Sequence, residues 1–174
     1  MIVSCSWDKT IRLWNVNSDR EIMKLEGCSS LVLTVNFSTD DKYIVSGSSN
    51  KIIQIWDVHS EKLIKILMDH SNEVWNVQFS SDNQIIVSAS YDRTIGLLSV
   101  KSSIRLKGLM DHFDCVTNKF IISCSFDNTI QIWDTETRKE LKKLEGHADI
   151  VNDVKYFPND QIIVSCSDDN AICL

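Results

Sequence analysis

The sequence predicts an all-β protein in which one small antiparallel unit is used several times over. The first observation behind this is internal repetition. The segments SCSWDKTIRLWN from Ser4, SGSSNKIIQIWD from Ser46, SASYDRTIGLLS from Ser88, SCSFDNTIQIWD from Ser123 and SCSDDNAICL from Ser165 share one alternation of small, polar and apolar residues. Their starts lie 42, 42, 35 and 42 residues apart, the period expected of four-stranded repeat units. The second is β-branched enrichment with an Ile-x-Ile pattern, as in Ile53-Gln54-Ile55 and Ile130-Gln131-Ile132, which suits a pleated, half-buried surface. The third is a turn signal about every eight to twelve residues.

Taken in order, residues 1–28 begin inside a unit. Ile2 to Ser6 and Thr10 to Val16 read as strands joined by a tight turn at Trp7-Asp8-Lys9, with Glu21 to Leu25 as a third strand. The first strand of that unit is missing. Residues 29–71 make a complete unit, with strands at Val32 to Phe37, Tyr43 to Ser48, Ile52 to Val58 and Leu63 to Leu67. Polar clusters such as Ser38-Thr39-Asp40-Asp41 separate them, and these side chains hydrogen-bond their own backbone in turns. Residues 72–113 repeat the pattern at Val74 to Phe79, Ile85 to Ser90, Thr94 to Val100 and Ile104 to Leu109. Leu63, Ile64, Ile66 and Leu67 also fit a short helical stripe, which periodicity alone does not settle; the repeat decides for strand. Pro158 falls in a turn, where its missing N–H is harmless.

The unit at 114–149 is short. Asn118 to Ser123 matches Asp41 to Ser46, but Val116-Thr117 precedes it directly, so most of one strand is lost and the innermost edge of that sheet is expected to be unpaired or partly rebuilt. The unit at 150–174 stops one residue before the position that holds Trp14, Trp56 and Trp133 in other copies.

Composition narrows the function. Formal charge is −6, from 24 acidic and 18 basic residues without long runs, so no basic stripe invites nucleic acid. The stretch Met1 to Lys9 shows neither a cationic lead nor an apolar run of signal-peptide length, so no signal peptide is expected, and no apolar stretch reaches bilayer length. The expected setting is cytoplasmic or nuclear, not secreted, with no membrane partner. Of the six cysteines, Cys5, Cys124 and Cys166 hold the repeat position that Gly47 and Ala89 hold elsewhere. They read as small core residues and not as a disulfide framework. No CxxC pair suggests a metal, and no cofactor is expected.

The five copies resemble the WD-repeat family over essentially the whole chain. The resemblance implies β-propeller blades and, within each, a buried hydrogen-bond chain linking a His, a strand Ser, a turn Asp and a Trp indole N–H. His112, Ser123, Asp127 and Trp133 form the fullest set. In the set His70, Ser88 and Asp92, Leu98 replaces the Trp and leaves Ser88 without that donor. His147, Ser165 and Asp169 also lack it, and the first unit supplies Ser4, Asp8 and Trp14. The unit with Ser46 and Trp56 has Cys28 where His is expected and Asn50 where Asp is expected, and should be the softest. Three histidines with serine and aspartate could pass for hydrolase triads, but a set recurring in several units serves something every unit needs. His59 has no repeat counterpart and reads as a loop residue.

In the family, the position before the turn Asp and those three and five after the His line a rim that contacts partners. By that mapping the candidate partner-binding residues are Trp7, Tyr91, Phe126, Leu31, Leu33, Glu73, Trp75, Ile150 and Asn152, while Cys115 and Thr117 sit at the deletion. Ser49 and Asp168 hold the same turn position. The rings could instead pack on their own neighbouring unit. The reading is a non-catalytic protein–protein interaction scaffold whose partners are other proteins. The alternatives are a non-functional or mispredicted fragment of a longer WD-repeat protein, and a small-ligand or catalytic propeller. Because the first and last units duplicate the same strands, an open arc is expected, or self-association of two chains through open sheet edges into a larger ring.

Overall fold

The computed structural model describes residues 1–103, 105–110, 120–125, 127–134, 137, 139–156 and 162–174, with the backbone alone at 105–110 and 156. The described residues contain no helix; every element is a strand, and the strands form five antiparallel sheets in chain order. The first sheet holds β1 (Ile2–Cys5), β2 (Ile11–Asn15) and β3 (Arg20–Leu25). The second has β4 (Val32–Phe37), β5 (Tyr43–Ser48), β6 (Ile52–Asp57) and β7 (Lys62–Met68). The third has β8 (Val74–Phe79), β9 (Ile85–Ser90), β10 (Thr94–Ser99) and β11 (Arg105–Met110). The fourth holds β12 (Phe120–Cys124), β13 (Thr129–Asp134) and β14 (Glu140–Glu145). The fifth holds β15 (Val151–Tyr156), β16 (Ile163–Ser167) and β17 (Ile172–Cys173).

Among the described residues the two complete units are thus four-stranded, and the three that the sequence marks as incomplete are three-stranded. The run Leu63 to Leu67 is strand, as the repeat requires, within β7. Residues 111–119, the deletion site, and Pro158 lie outside the described residues, as does whatever lies beside the β12 edge there.

In the first, third and fourth sheets the second-to-third-strand hairpin is closed by the same local chemistry. The amide of Asp8 donates to Ser6 Oγ, and Thr10 donates to Asp8 Oδ1 through both its amide and its hydroxyl, at 3.0 and 2.7 Å. Ser90, Asp92 and Thr94 repeat this, as do Ser125, Asp127 and Thr129. The residue after each Asp or Asn turns left-handed: Lys9, Lys51, Arg93, Asn128 and Asn170 all have φ between 66° and 73°. The aspartate compensates for that backbone cost with hydrogen bonds that glycine would not offer.

Successive sheets pack face to face through four apolar seams. Ile11, Leu13 and Leu25 of the first sheet meet Val32, Ile44 and Trp56 of the second. Val45, Ile53, Ile55 and Leu67 on the opposite face of that second sheet meet Val74, Val77, Phe79, Ile86 and Leu98 of the third. Val87, Ile95 and Leu97 of the third meet Ile121 and Trp133. Ile122, Cys124 and Ile130 meet Val151, Val154 and Ile163. Strand alternation explains the division, since neighbours such as Ile44 and Val45, or Ile121 and Ile122, point to opposite faces and so to different seams. At Gly47 an added Cβ would stand 2.6 Å from Val74 Cγ1 and 2.8 Å from Thr34 Cγ2, so this close approach needs a residue without one. Among the described residues the five sheets do not close into a ring: no strand of the first packs substantially on a strand of the fifth.

The seams dictate the cost of truncation. Ile53 is fully buried between the second and third sheets, while Met68 on the outer strand of the same sheet is 81% exposed. Ile53→Ala should cost roughly 2–5 kcal/mol, and Met68→Ala less than about 0.5 kcal/mol. Urea midpoints at unchanged slope measure both, and equal losses would show that the seam is not what holds these sheets.

Candidate functional site

Two histidines are held in the same way. His70 Nδ1 lies 3.0 Å from Asp92 Oδ2 and its Nε2 lies 2.8 Å from Ser88 Oγ. In the fifth sheet His147 spans Asp169 Oδ2 and Ser165 Oγ, both at 2.8 Å. Each aspartate is fixed further by backbone amides: Ser71 N and Thr94 N donate to Asp92, and Ala148 N and Ala171 N donate to Asp169. The Ala148 amide and His147 hold the Asp169 carboxyl down to about 2. Burial pushes the Asp92 carboxyl up, but the hydroxyl of Thr94, the Ser71 amide and His70 outweigh it and leave it below the usual range. An ionised aspartate accepts the Nδ1–H of its histidine, so Nε2 is the acceptor for the serine hydroxyl.

The serine oxygen then has lone pairs for a second donor, and indoles supply it. Trp14 Nε1 donates to Ser4 Oγ at 2.8 Å, Trp56 to Ser46 at 3.1 Å and Trp133 to Ser123 at 2.9 Å. Leu98 stands in the third sheet where the first, second and fourth have Trp, and it packs in the seam without reaching Ser88 chemically. His112 lies outside the described residues, so the fourth sheet shows only the Ser123, Asp127 and Trp133 part of its set.

Two local substitutions carry their own adjustments. In the second sheet Asn50 cannot meet a histidine, because Cys28 is there; instead its Nδ2 donates to Ser29 Oγ at 2.6 Å and its Oδ1 accepts from Ser48. Cys28 is buried, and burial raises its thiol to about 11, as a neutral packing group. In the third sheet, Gly96 occupies the position of Arg12, Gln54 and Gln131, where a Cβ would stand 2.3 Å from Asp69 Oδ2 and 2.7 Å from Ser88 Oγ. The carboxylate of Asp69 fills the space that a longer side chain takes in the other sheets.

The Ser–His–Asp geometry is that of an activated nucleophile, yet Ser88 is only 1% exposed and the arrangement recurs. What it links is structural: a loop before the first strand, the second strand and the turn after it. Among the described residues no cluster of three His, Cys, Asp or Glu side chains is placed to hold a metal.

In the second, third and fifth sheets the rim positions lie together at one end. Backbone bonds from Tyr91 N to Glu73 O, Ser49 N to Leu31 O and Asp168 N to Ile150 O join the residue before the turn Asp to the one three after the His position. The register shifts at Val32/Thr34, Val74/Asn76 and Val151/Asp153, which makes Leu33, Trp75 and Asn152 the extra residues of three β-bulges. A bulge re-aims its side chain out of the strand alternation. Trp75 accordingly meets Tyr91, with ring centroids 5.9 Å apart and planes tilted by 41°, and Asn152 Nδ2 donates to Asp168 Oδ1 at 2.6 Å. Trp7, Tyr91 and Trp75 are 74%, 52% and 48% exposed. Leu31, Leu33, Glu73 and Ile150 are part-buried and Asn152 is exposed. Phe126, Cys115 and Thr117 lie outside the described residues. Spacing alone did not reveal the bulges, whose only trace is an apolar or polar residue breaking the two-residue period, as in Val32-Leu33.

A pH test follows from the fifth sheet. The carboxyl of Asp169 is lowered from 3.8 to about 2 in the folded state. Its contribution to stability is therefore present above pH 3.8 and is lost as pH falls toward 2, because the unfolded chain takes up that proton first. Asp169→Asn should lower stability at neutral pH and flatten the fall between pH 4 and 2. Unfolding midpoints measured across that window check it; a variant as acid-sensitive as the parent would remove Asp169 as the titrating group.

Comparison with curated proteins gives no match. Comparison with family models gives one description, WD domain, G-beta repeat, at residues 1–15, 19–57, 61–97, 109–134 and 138–174. These five segments take in most of the chain and end in the hairpins that carry the buried serines and indoles. With five antiparallel sheets in series and the recurring hydrogen-bond set, the chain belongs to the WD-repeat family.

Proposed function

We propose that the chain is a non-catalytic scaffold that binds other proteins through one rim of its sheets. WD repeats generally mediate protein–protein interaction, and the observation that carries the reading is the exposed ring set Trp7, Trp75 and Tyr91. Large aromatics on an accessible edge, beside polar neighbours such as Glu73, are the composition of interface hot spots. Trp75 and Tyr91 are also pre-organised, because the bulge and the tilted contact fix both rings before any partner arrives, which lowers the ordering cost of binding. Leu31, Leu33, Ile150 and Asn152 extend the same rim to the second and fifth sheets. A formal charge of −6 favours protein over nucleic-acid partners. Cysteines serving as small packing residues, with Cys5, Cys28, Cys166 and Cys173 as free thiols, suit a reducing compartment, cytoplasm or nucleus.

Alanine at Trp7, Trp75 and Tyr91 together should abolish recovery of bound proteins from a cell extract and leave the β signal in circular dichroism unchanged. A control triple at exposed residues off the rim, Ile64, Met68 and Leu141, should keep the same bound proteins. Undiminished recovery by the rim variant would overturn the assignment.

A further inference from the structure

The rim end of the third sheet joins a carboxylate to two aromatic rings. In its antiparallel register Val74 lies opposite Ser90, and the amide of Tyr91 donates to the Glu73 carbonyl at 2.9 Å. Glu73 and Tyr91 are therefore cross-strand neighbours, a pair whose Cβ atoms stand about 5 Å apart. Trp75, the extra residue of the bulge, also meets Tyr91, with ring centroids 5.9 Å apart and planes tilted by 41°. Both rings are about half exposed, so each keeps part of its electron-rich face open.

The corresponding residues are Leu31, Leu33 and Ser49 in the second sheet and Ile150, Asn152 and Asp168 in the fifth. Neither set joins a carboxylate to an aromatic face, and Asp168 already accepts from Asn152 Nδ2. The second and fifth sheets are built without such a group, so the combination is not what holds a unit together.

The charge at this end is uncommitted. Glu73 is bonded through its backbone, its amide to Asn72 Oδ1 and its carbonyl to Tyr91. Among the described residues no hydrogen bond or ion pair engages its carboxylate. Asp92 follows Tyr91 and accepts from His70 and Ser71 inside the turn. Arg93, exposed on the same turn, offsets one of these two acidic charges and leaves the other. A free carboxylate beside open ring faces is complementary to a cation.

We infer that this end of the third sheet recognises an arginine side chain on a partner protein, its guanidinium lying on the Trp75 face and donating to the Glu73 carboxylate. The inference rests on the rim reading above and supplies the chemistry of the partner. A cation is drawn to the face of an indole more strongly than to that of a phenol or a phenyl ring. Arginine fits better than lysine, because a planar fork can stack on a ring and still present paired donors in its own plane. An ammonium is a point charge that does one or the other. The contact between Trp75 and Tyr91 holds the stacking face ready and lowers the ordering cost of binding.

The probe is a phage-displayed library of random dodecapeptides, selected on the 174-residue chain and counter-selected on its Trp75→Ala variant. Peptides that require Trp75 should share an arginine at one position and bind with dissociation constants on the order of 1–100 µM. In a synthetic copy of one such peptide, citrulline in place of that arginine keeps the shape without the charge and should weaken binding at least about tenfold. Lysine there should weaken it about threefold or more. Glu73→Gln should weaken the arginine peptide about tenfold and leave the citrulline peptide unchanged, a coupling that a merely structural role for Glu73 would not produce. Should Trp75→Ala fail to fold, Glu73→Gln serves as the counter-selection and the same coupling decides. Peptides that need Trp75 but show no arginine would overturn this site and leave the rim reading standing. Equal losses of the arginine and citrulline peptides in Glu73→Gln, or no peptide that depends on Trp75 or Glu73, would also overturn it. Failure of the rim reading itself shows separately, as undiminished protein recovery by the triple alanine variant.

Discussion

The structure depends on one constraint: the second, third and fourth sheets are apolar on both faces, so each of them needs a neighbour on each side. Ile44 and Val45 are adjacent in β5 and both fully buried, yet one belongs to the seam with the first sheet and the other to the seam with the third. A lone sheet of three or four short strands would expose one such row, at about 1.5–3 kcal/mol for each Ile, Leu or Val left in water. Stability is therefore a property of seams more than of sheets, as expected for a quasi-one-dimensional array. That logic explains why the same residue position is Cys5, Gly47, Ala89, Cys124 and Cys166. The position faces a seam, and only small side chains let the next sheet approach, as the contacts at Gly47 show.

The hydrogen-bond set solves a second problem created by the first. Seams need large residues in the third strand of each sheet, and a tryptophan brings an N–H that must be satisfied once buried. Ser46 and Ser123 meet it from the neighbouring strand, while in the third and fifth sheets a histidine bonds the corresponding serine. Leu98 removes the donor and with it the need, so the third sheet retains His70, Ser88 and Asp92 as a link between loop, strand and turn. Asn50 and Ser29 do the same job in the second sheet with shorter reach, because Cys28 has no ring to span the gap. Different residues thus satisfy one geometric demand, and hydrolase-like spacing carries no hydrolytic meaning where the hydroxyl is sealed inside.

Much of this was legible in the sequence because the repeat averages out local ambiguity. The strands Val32–Phe37, Tyr43–Ser48, Val74–Phe79 and Ile85–Ser90 have the bounds that alternation and turns imply. What resisted was anything that depends on an extra residue. In β7 the register shifts opposite Ile55/Trp56, so Leu63 and Lys65 face the partner strand and Ile64 is left over. That single insertion breaks the two-residue period and produces the helix-like spacing of Leu63, Ile64, Ile66 and Leu67. The rim bulges at Leu33, Trp75 and Asn152 hide in the same way.

The rim and the seams place opposite demands on aromatic residues, and the fold separates them by position within one hairpin. Trp133, late in the third strand, is drawn into a seam where its ring is walled by Val87, Ile95 and Leu97 and its N–H is taken by Ser123. Trp7, at the tip of the preceding turn in its own unit, has no seam to enter and keeps its ring in water. The tip residue is free to vary because the turn is held by backbone and Asp8, not by the ring: Ser49, Tyr91 and Asp168 take the same place without altering the left-handed residue that follows the next one. A rim built on such turns can change its chemistry from unit to unit while the seams stay fixed, which is how a repeated structural unit comes to carry an unrepeated surface.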